Sequence, residues 1–354
     1  MKNAAILTRG SFSTSKAKTA HGLIRHGKVF RIVEVVDETL VGKDAGEVIG
    51  LGHLGIPIVK DFSKAIDSLI IGIAPPGGKL PKKWREDIKK AIRSGIDIVS
   101  GMHEFLSCDK ELAELARKHN VKLWDVRKYD KRELDIAKGY KHKVPVVLVC
   151  GTDSCVGKRT VALELLKSAE RHGINAGFVA TGQTGIMIGC DAGIAVDAIP
   201  SDFVSGAVEA MIKKVSENEK KQIIFIEGQG SLLHSAYGAV ALGILHGAKP
   251  ECTIIVHDPM RKFRDSCPEK IPSLESEIAC TEKLGSTKVV GIALNCLHVK
   301  NKAHSARIVK SYERTYRLPT ADVLKESRGT DKLLIPVIRN LRSAGWNFNL
   351  PEVS

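Results

Sequence analysis

The sequence predicts an α/β protein in two domains, and three observations carry that expectation. Strand-like apolar runs alternate with amphipathic helical stretches from end to end, the pattern of mostly parallel sheets joined by helical crossovers. A chain of 354 residues is long for a single hydrophobic core. Between the two halves lies RKYDKRELDIAKGYKHK (127–143), a charged run with no deep apolar stripe. The boundary falls there, giving domains at 1–135 and 144–354.

In the first half the expected strands are AAILT (4–8), RIVEVV (31–36), PIVKD (57–61), SLIIGIA (68–74), DIVSG (97–101) and KLWDV (122–126). Helical periodicity fills the gaps, most clearly at 81–94 and 104–119. The second half restarts with VPVVLVC (144–150). It continues through AGFVAT (176–181), QIIFIEG (222–228), CTIIVHD (252–258) and KVVGIALNC (288–296). Near-continuous β-branched runs of this kind suit central parallel strands covered on both faces. No internal repeat is present, and the tail NFNLPEVS reads as a loosely held end.

Composition narrows the function classes. No apolar run approaches the roughly 20 residues needed to span a bilayer, and the N-terminus lacks a signal-peptide pattern. A cytoplasmic protein with no membrane partner is therefore expected. Eight cysteines form no CxxC pair and no metal-ligand ladder, so they read as structural thiols and no metal site is expected. The net charge of +14 is spread over mixed-charge helix faces. Only KGYKHK (138–143) is dense, and no aromatic platform accompanies it, as single-strand binding requires. The expected partners are small polyanions and an amino-acid substrate, not nucleic acid, with the chain itself a homo-oligomer.

The strongest motif is GTDSCVGKRT (151–160), at the junction of a buried strand and a helix. Gly151 and Gly157 permit backbone angles and close approach that a side chain blocks. N–H groups at the helix start then face an anion with the helix dipole in support. Lys158 adds a point charge for phosphate oxygens, and Thr152 and Asp153 lie in the same loop. The spacing is one residue longer than the common G-x-x-x-x-G-K-[ST]. Arg159 stands where a hydroxyl normally ligates Mg²⁺, and the nearest hydroxyl, Thr160, comes one position later. A positive side chain in that place favours holding a pyrophosphate-bearing cofactor over cleaving a γ-phosphate.

GTDSCVGK is similar to the loop of dethiobiotin synthetase, and FIEGQGS (225–231) and VVGIALN (289–295) look like later strands of that superfamily. Over nearly its full length the chain more closely resembles the DgcN-like family, formerly a domain of unknown function. The resemblance is carried by LTRGSFSTSKAKTAHGLIR (7–25), IGIAPPGGKLP (71–81), SGMHEFL (100–106), ATGQTGIMIG (180–189), VDAIPSDFVSGAVE (196–209), IEGQGSLLHSAYG (226–238) and HGAKPE (246–251). It implies an N-terminal Rossmann-like domain and a C-terminal P-loop NTPase-like domain. The activity it implies is N-acetyl transfer from acetyl-CoA to D-glutamate or a related amino acid. The residue chemistry is compatible: a thioester is already activated, so what remains is to deprotonate an amine and stabilise an oxyanion. Two alternatives stay open. One is a kinase or ligase of the dethiobiotin synthetase type using ATP and Mg²⁺; the other is a nucleotide-binding regulator without turnover.

Further candidates sit at strand ends, where α/β folds place active groups. Glu227 reads as a base, an ammonium binder or a strand-end cap, and His234 as a proton relay or a structural histidine. Thr181, Gln183 and Thr184, in a glycine-rich stretch read as a loop, suit a nest for a substrate carboxylate. Asp202 is either a catalytic acid or a helix N-cap. His257, with Asp258 and Arg261 beside it, either recognises a carboxylate or closes the turn before Pro259. Asn295 resembles the base-reading asparagine of the superfamily. In the first domain Arg9 follows strand one as a possible substrate contact, without any G-x-G-x-x-G fingerprint.

Overall fold

The computed structural model describes residues 1–73, 80–218, 220–265, 267–326 and 328–348. Residues 74–79, most of the stretch APPGGKLP, and the end of the tail from 349 lie outside the described residues. Two compact units make up the chain: Met1–Tyr129 with Gln183–Gly189, and Asp130–Gly182 with Cys190–Ser354. Among the described residues no helix is long and apolar enough to cross a membrane.

The first unit is built on strands β1 (Lys2–Leu7), β2 (Phe30–Val36), β3 (Ile58–Val59), β4 (Ser68–Ile71), β5 (Asp97–Ser100) and β6 (Leu123–Asp125). They form one parallel sheet in the order β3-β2-β1-β4-β5-β6, the order of a Rossmann-like doubly wound fold. Helices α1 (Lys18–His26), α2 (Ala45–Val48), α3 (Trp84–Arg93) and α4 (Lys110–Lys118) connect them. Local chemistry sets their starts. Asp109 caps α4 by accepting from Leu112 N at 3.0 Å and is gripped from the other side by Arg85. The core beneath α3 joins Leu69, Ile71, Ile88, Ile92 and Ile98.

The second unit carries β7 (Val146–Gly151), β8 (Ala176–Ala180), β9 (Ala192–Gly193), β10 (Ile223–Glu227), β11 (Cys252–His257), β12 (Lys288–Leu294) and β13 (Thr320–Asp322). Every strand pair is parallel, in the order β13-β12-β11-β7-β10-β8-β9. All five residues of β8 and of β10 are buried, as their unbroken apolar sequences require of a sheet covered on both faces. The crossovers are α5 (Lys158–Arg171), α6 (Gln183–Ile188), α7 (Val204–Ser216), α8 (Gly238–Ala248), α9 (Leu274–Gly285), α10 (Lys302–Tyr316) and α11 (Gly329–Ser343). Of these, α6 belongs to the first unit by its packing.

One local expectation is corrected. The stretch ATGQTGIMIG is not a loop: residues 183–188 close into α6. Its glycines suggest a loop, yet Met187 and Ile188 are buried, and burial decides helix formation more than propensity does. The basic cluster 138–143 at the boundary is held in place. Glu209 on α7 accepts from the backbone N–H groups of Lys138 and Tyr140 at 2.8 and 2.7 Å, docking the segment on the second unit.

Candidate active site

In the second unit β7 lies between β10 and β11, so the loop after β7 opens between their C-terminal ends. Gly151 closes β7 and Lys158 opens α5. Gly157 has φ +111°, a left-handed conformation strained for any side chain. Gly151 answers a different need. A Cβ there would meet Lys158 Cγ and Cδ at 3.0 Å, so bare backbone lets the lysine fold back over the loop. Its buried ammonium donates to the carbonyls of Asp153 and Gly230 at 2.6 and 2.7 Å. Burial, only partly offset by nearby negative groups, lowers its pKa to about 8.

Arg159, in the first turn of α5, brings Nη1 to 3.9 Å from Oε1 of Glu227, the last residue of β10. Glu227 is 5% exposed. Burial raises its pKa, while the Arg159 charge and the backbone N–H groups of Gly182 and Thr181 pull the other way. Its Oε2 has no hydrogen-bond partner among the described residues. Burial likewise lowers the Arg159 pKa, with Glu227 the main opposing influence. A buried carboxylate with one unpaired oxygen therefore stands beside a guanidinium at the start of α5. Thr181 supports it from behind, donating Oγ1 to Glu227 O at 2.6 Å while Gln229 Nε2 donates to Thr181 O at 2.5 Å.

Asp153 is fully buried. Its Oδ2 accepts from Arg261 Nη1 at 3.0 Å and from Asp265 N at 2.9 Å. Its Oδ1 lies 3.4 Å from His234 Nε2 and 3.9 Å from Arg264 Nη1. His234 Nδ1 accepts from Ala236 N at 3.0 Å, which places the ring proton on Nε2, facing Asp153. Burial first, then Arg264, holds this histidine below its ordinary pKa. Both nitrogens are turned to the protein, as suits a residue that positions the loop.

Thr152 Oγ1 shares a hydrogen bond of 2.9 Å with His257 Nδ1, and Thr160 is part-exposed on the first turn of α5. Asn295 donates Nδ2 to Val156 O at 2.9 Å, bracing the phosphate loop with the amide expected to read a base. Asp202 is exposed in a 3₁₀ turn, and no side chain caps that turn or α7, so the N-cap expectation does not hold. Thr184 Oγ1 bonds Thr19 Oγ1 at 2.9 Å within the first unit, and Gln183 is buried there with it. The Arg9 guanidinium, also in the first unit, is held by Asp87 at 2.6 and 3.0 Å, by Asp61 at 3.2 Å and by the Lys60 carbonyl at 2.6 Å. These structural bonds occupy Thr184 and Arg9, two of the groups expected to reach a substrate carboxylate.

Sequence reasoning missed Glu277 and Arg264. Glu277 on α9 accepts from Leu232 N at 2.6 Å and Ser231 Oγ at 3.0 Å, fixing the loop after β10. Arg264 donates Nη2 to the Leu233 carbonyl of the same loop. Glu277 follows Ser273, the N-cap of α9, by four residues, and that was its only local signal.

Comparison with known proteins adds to this geometry. Residues 133–334 match the P-loop domain described as a domain of unknown function, DUF1611_C. Residues 38–129 match its Rossmann-like companion, DUF1611_N. A protein of Pseudoalteromonas named D-glutamate N-acetyltransferase is 37% identical over 273 residues, which is 75% of this chain and 80% of that protein. One of the same name from Tritonibacter scottomollicae is 33% identical over 290 residues, 80% and 85% of the two chains. The crystal structure of a DUF1611 family protein from Anabaena variabilis superposes with a TM-score of 0.88 at 33% identity, over 96% of this chain and 100% of that one.

Proposed function

The chain belongs to the DUF1611 family and is an acyltransferase, and on that premise we propose acetyl-CoA as its donor and D-glutamate or a similar acidic amino acid as its acceptor. The observation that carries this reading is the Arg159–Glu227 pair beside the phosphate loop. Phosphoryl transfer needs a hydroxyl and a divalent cation there, whereas acyl transfer from a thioester needs neither. A guanidinium in that place suits the second chemistry.

The residues present fit a pyrophosphate-bearing donor. The left-handed Gly157 exposes the N–H groups that begin α5, and among the described residues the Lys158 ammonium donates to two neutral carbonyls that an anion can displace. Bound there, acetyl-CoA supplies an acetyl group already activated towards an amine. The acceptor amine arrives as an ammonium ion. Glu227 Oε2, buried and unpaired among the described residues, first holds that ammonium and then takes its proton. Burial that raises the Glu227 pKa makes it a stronger base, while Arg159 favours its ionised form. His234 and Asp153 hold the loop that carries Lys158 in place.

The test is to supply purified protein with acetyl-CoA and D-glutamate and to follow N-acetyl-D-glutamate by mass spectrometry. A parallel arm supplies ATP and Mg²⁺ in place of acetyl-CoA. Acetylated product that requires acetyl-CoA supports the reading. ATP turnover with no acetylated product overturns it.

A further inference from the structure

A cavity of about 420 Å³ opens beside the phosphate loop, within the roughly 300–1,000 Å³ usual for small-ligand sites. Its wall is an aromatic ladder: the His257 and Tyr312 rings lie 5.8 Å apart at 33°, and those of Tyr312 and Tyr316 5.4 Å apart at 39°. Burial lowers the His257 pKa to about 4 and raises that of Tyr312, so both faces are neutral under ordinary conditions. Two links tie this cavity to the loop. His257 bonds Thr152, and Arg261, which also lines the cavity, donates to Ser154 O at 2.7 Å and to Asp153 Oδ2 at 3.0 Å.

The rim is formed by a short hairpin in which Phe263 bridges Lys270 and Ile271 N donates to Lys262 O at 3.1 Å. Lys262 and Lys270 both line the cavity and are exposed, and among the described residues neither has an ion-pair partner. Neutral rings suit a flat heterocycle, and two unpaired ammonium groups suit an anion beside it. A nucleoside triphosphate carries all its phosphates on its 5′ side and leaves such a pair without an anion. Coenzyme A carries a further phosphate on its ribose, next to the base.

We propose that this cavity is the 3′-phosphoadenosine subsite of the acyl donor, with Tyr312 and Tyr316 stacking the adenine and Lys262 and Lys270 binding the ribose phosphate. The assignment rests on acetyl-CoA being the donor. It explains how one protein distinguishes this donor from ATP although both present a pyrophosphate to the loop.

The test is calorimetric titration of CoA, 3′-dephospho-CoA and ATP into the wild-type protein, Lys262→Ala/Lys270→Ala and Tyr312→Leu. The wild type should bind CoA at least about tenfold more tightly than dephospho-CoA, as one charge-assisted contact provides. The double lysine variant should lose that preference while its dephospho-CoA affinity stays the same, and Tyr312→Leu should weaken both forms alike. A double variant that retains the preference, or a wild type without one, overturns the subsite. If the wild type still transfers acetyl groups from acetyl-CoA in that case, the proposed function stands and only the subsite falls. A wild type that binds no form of CoA overturns both.

Discussion

Arg159 Nη1 stands 3.9 Å from Glu227 Oε1, joining the first turn of α5 to the end of β10. The contact is too long for a hydrogen bond, so the two groups are coupled by charge and not by shared protons. Glu227 Oε2 is unpaired among the described residues, and after burial Arg159 is the largest influence on how readily Glu227 gives up its proton.

The clearest expectation is for Glu227→Gln, which keeps shape and removes the proton acceptor. Its kcat should fall by roughly 10²–10⁴-fold, with donor affinity nearly unchanged. The wild-type rate should fall on the acid side with a midpoint above 4.5, the ordinary glutamate value, because burial raises this pKa and the group acts ionised. Steady-state rates across pH measure both. A surviving kcat removes Glu227 as the base.

Replacing Arg159 should move that same midpoint. In Arg159→Ala the carboxylate loses the charge that favours ionisation, so the acid limb shifts to higher pH. Arg159→Lys should restore part of the shift. An acid limb that does not move in Arg159→Ala uncouples the pair.

Lys158→Ala should weaken CoA binding by about 1.5–3 kcal/mol, the worth of one charge-assisted bond, and leave amino-acid binding intact. Anions bind the charged lysine, and its pKa is lowered to about 8. Wild-type affinity for CoA should therefore fall as pH rises through about 8, and the variant should lack that fall. Calorimetry on either side of this pH reads the difference.

Turnover should persist in excess chelator, since a guanidinium stands beside Glu227 and no hydroxyl follows Lys158 directly. A rate abolished by chelation and restored by Mg²⁺ would return the site to ATP chemistry.

Glu277→Ala should act through folding. It strands the buried Ser231 hydroxyl, at about 1–3 kcal/mol, and the part-buried Leu232 N–H, at less. Denaturant titration should show a lower midpoint, with activity declining as the loop after β10 loosens.

The first sheet, the five inner strands of the second and the phosphate loop were legible in the sequence, because their signals are local; the short edge strands β9 and β13 were not. The unbroken run IIFIE marks a strand buried on both faces without knowledge of its neighbours. Gly157 is the residue a left-handed turn demands wherever that turn lies. Glu227 was legible as a strand-end acid for the same reason. Its unpaired oxygen was not, since that depends on which groups approach it.

Partnerships were decided by tertiary structure alone. Asp153 reads as a loop residue facing a ligand, yet it turns inward to Arg261, 108 residues later, because β11 is inserted beside β7. Asn295 braces Val156 across a separation of 139 residues, and the aromatic cavity draws His257 from β11 and Tyr312 from α10. Local propensity follows from neighbours in the chain, and the sequence expresses it directly. The choice of counterion for each buried charge follows from strand order, a global property that many residues set together and that no short motif records.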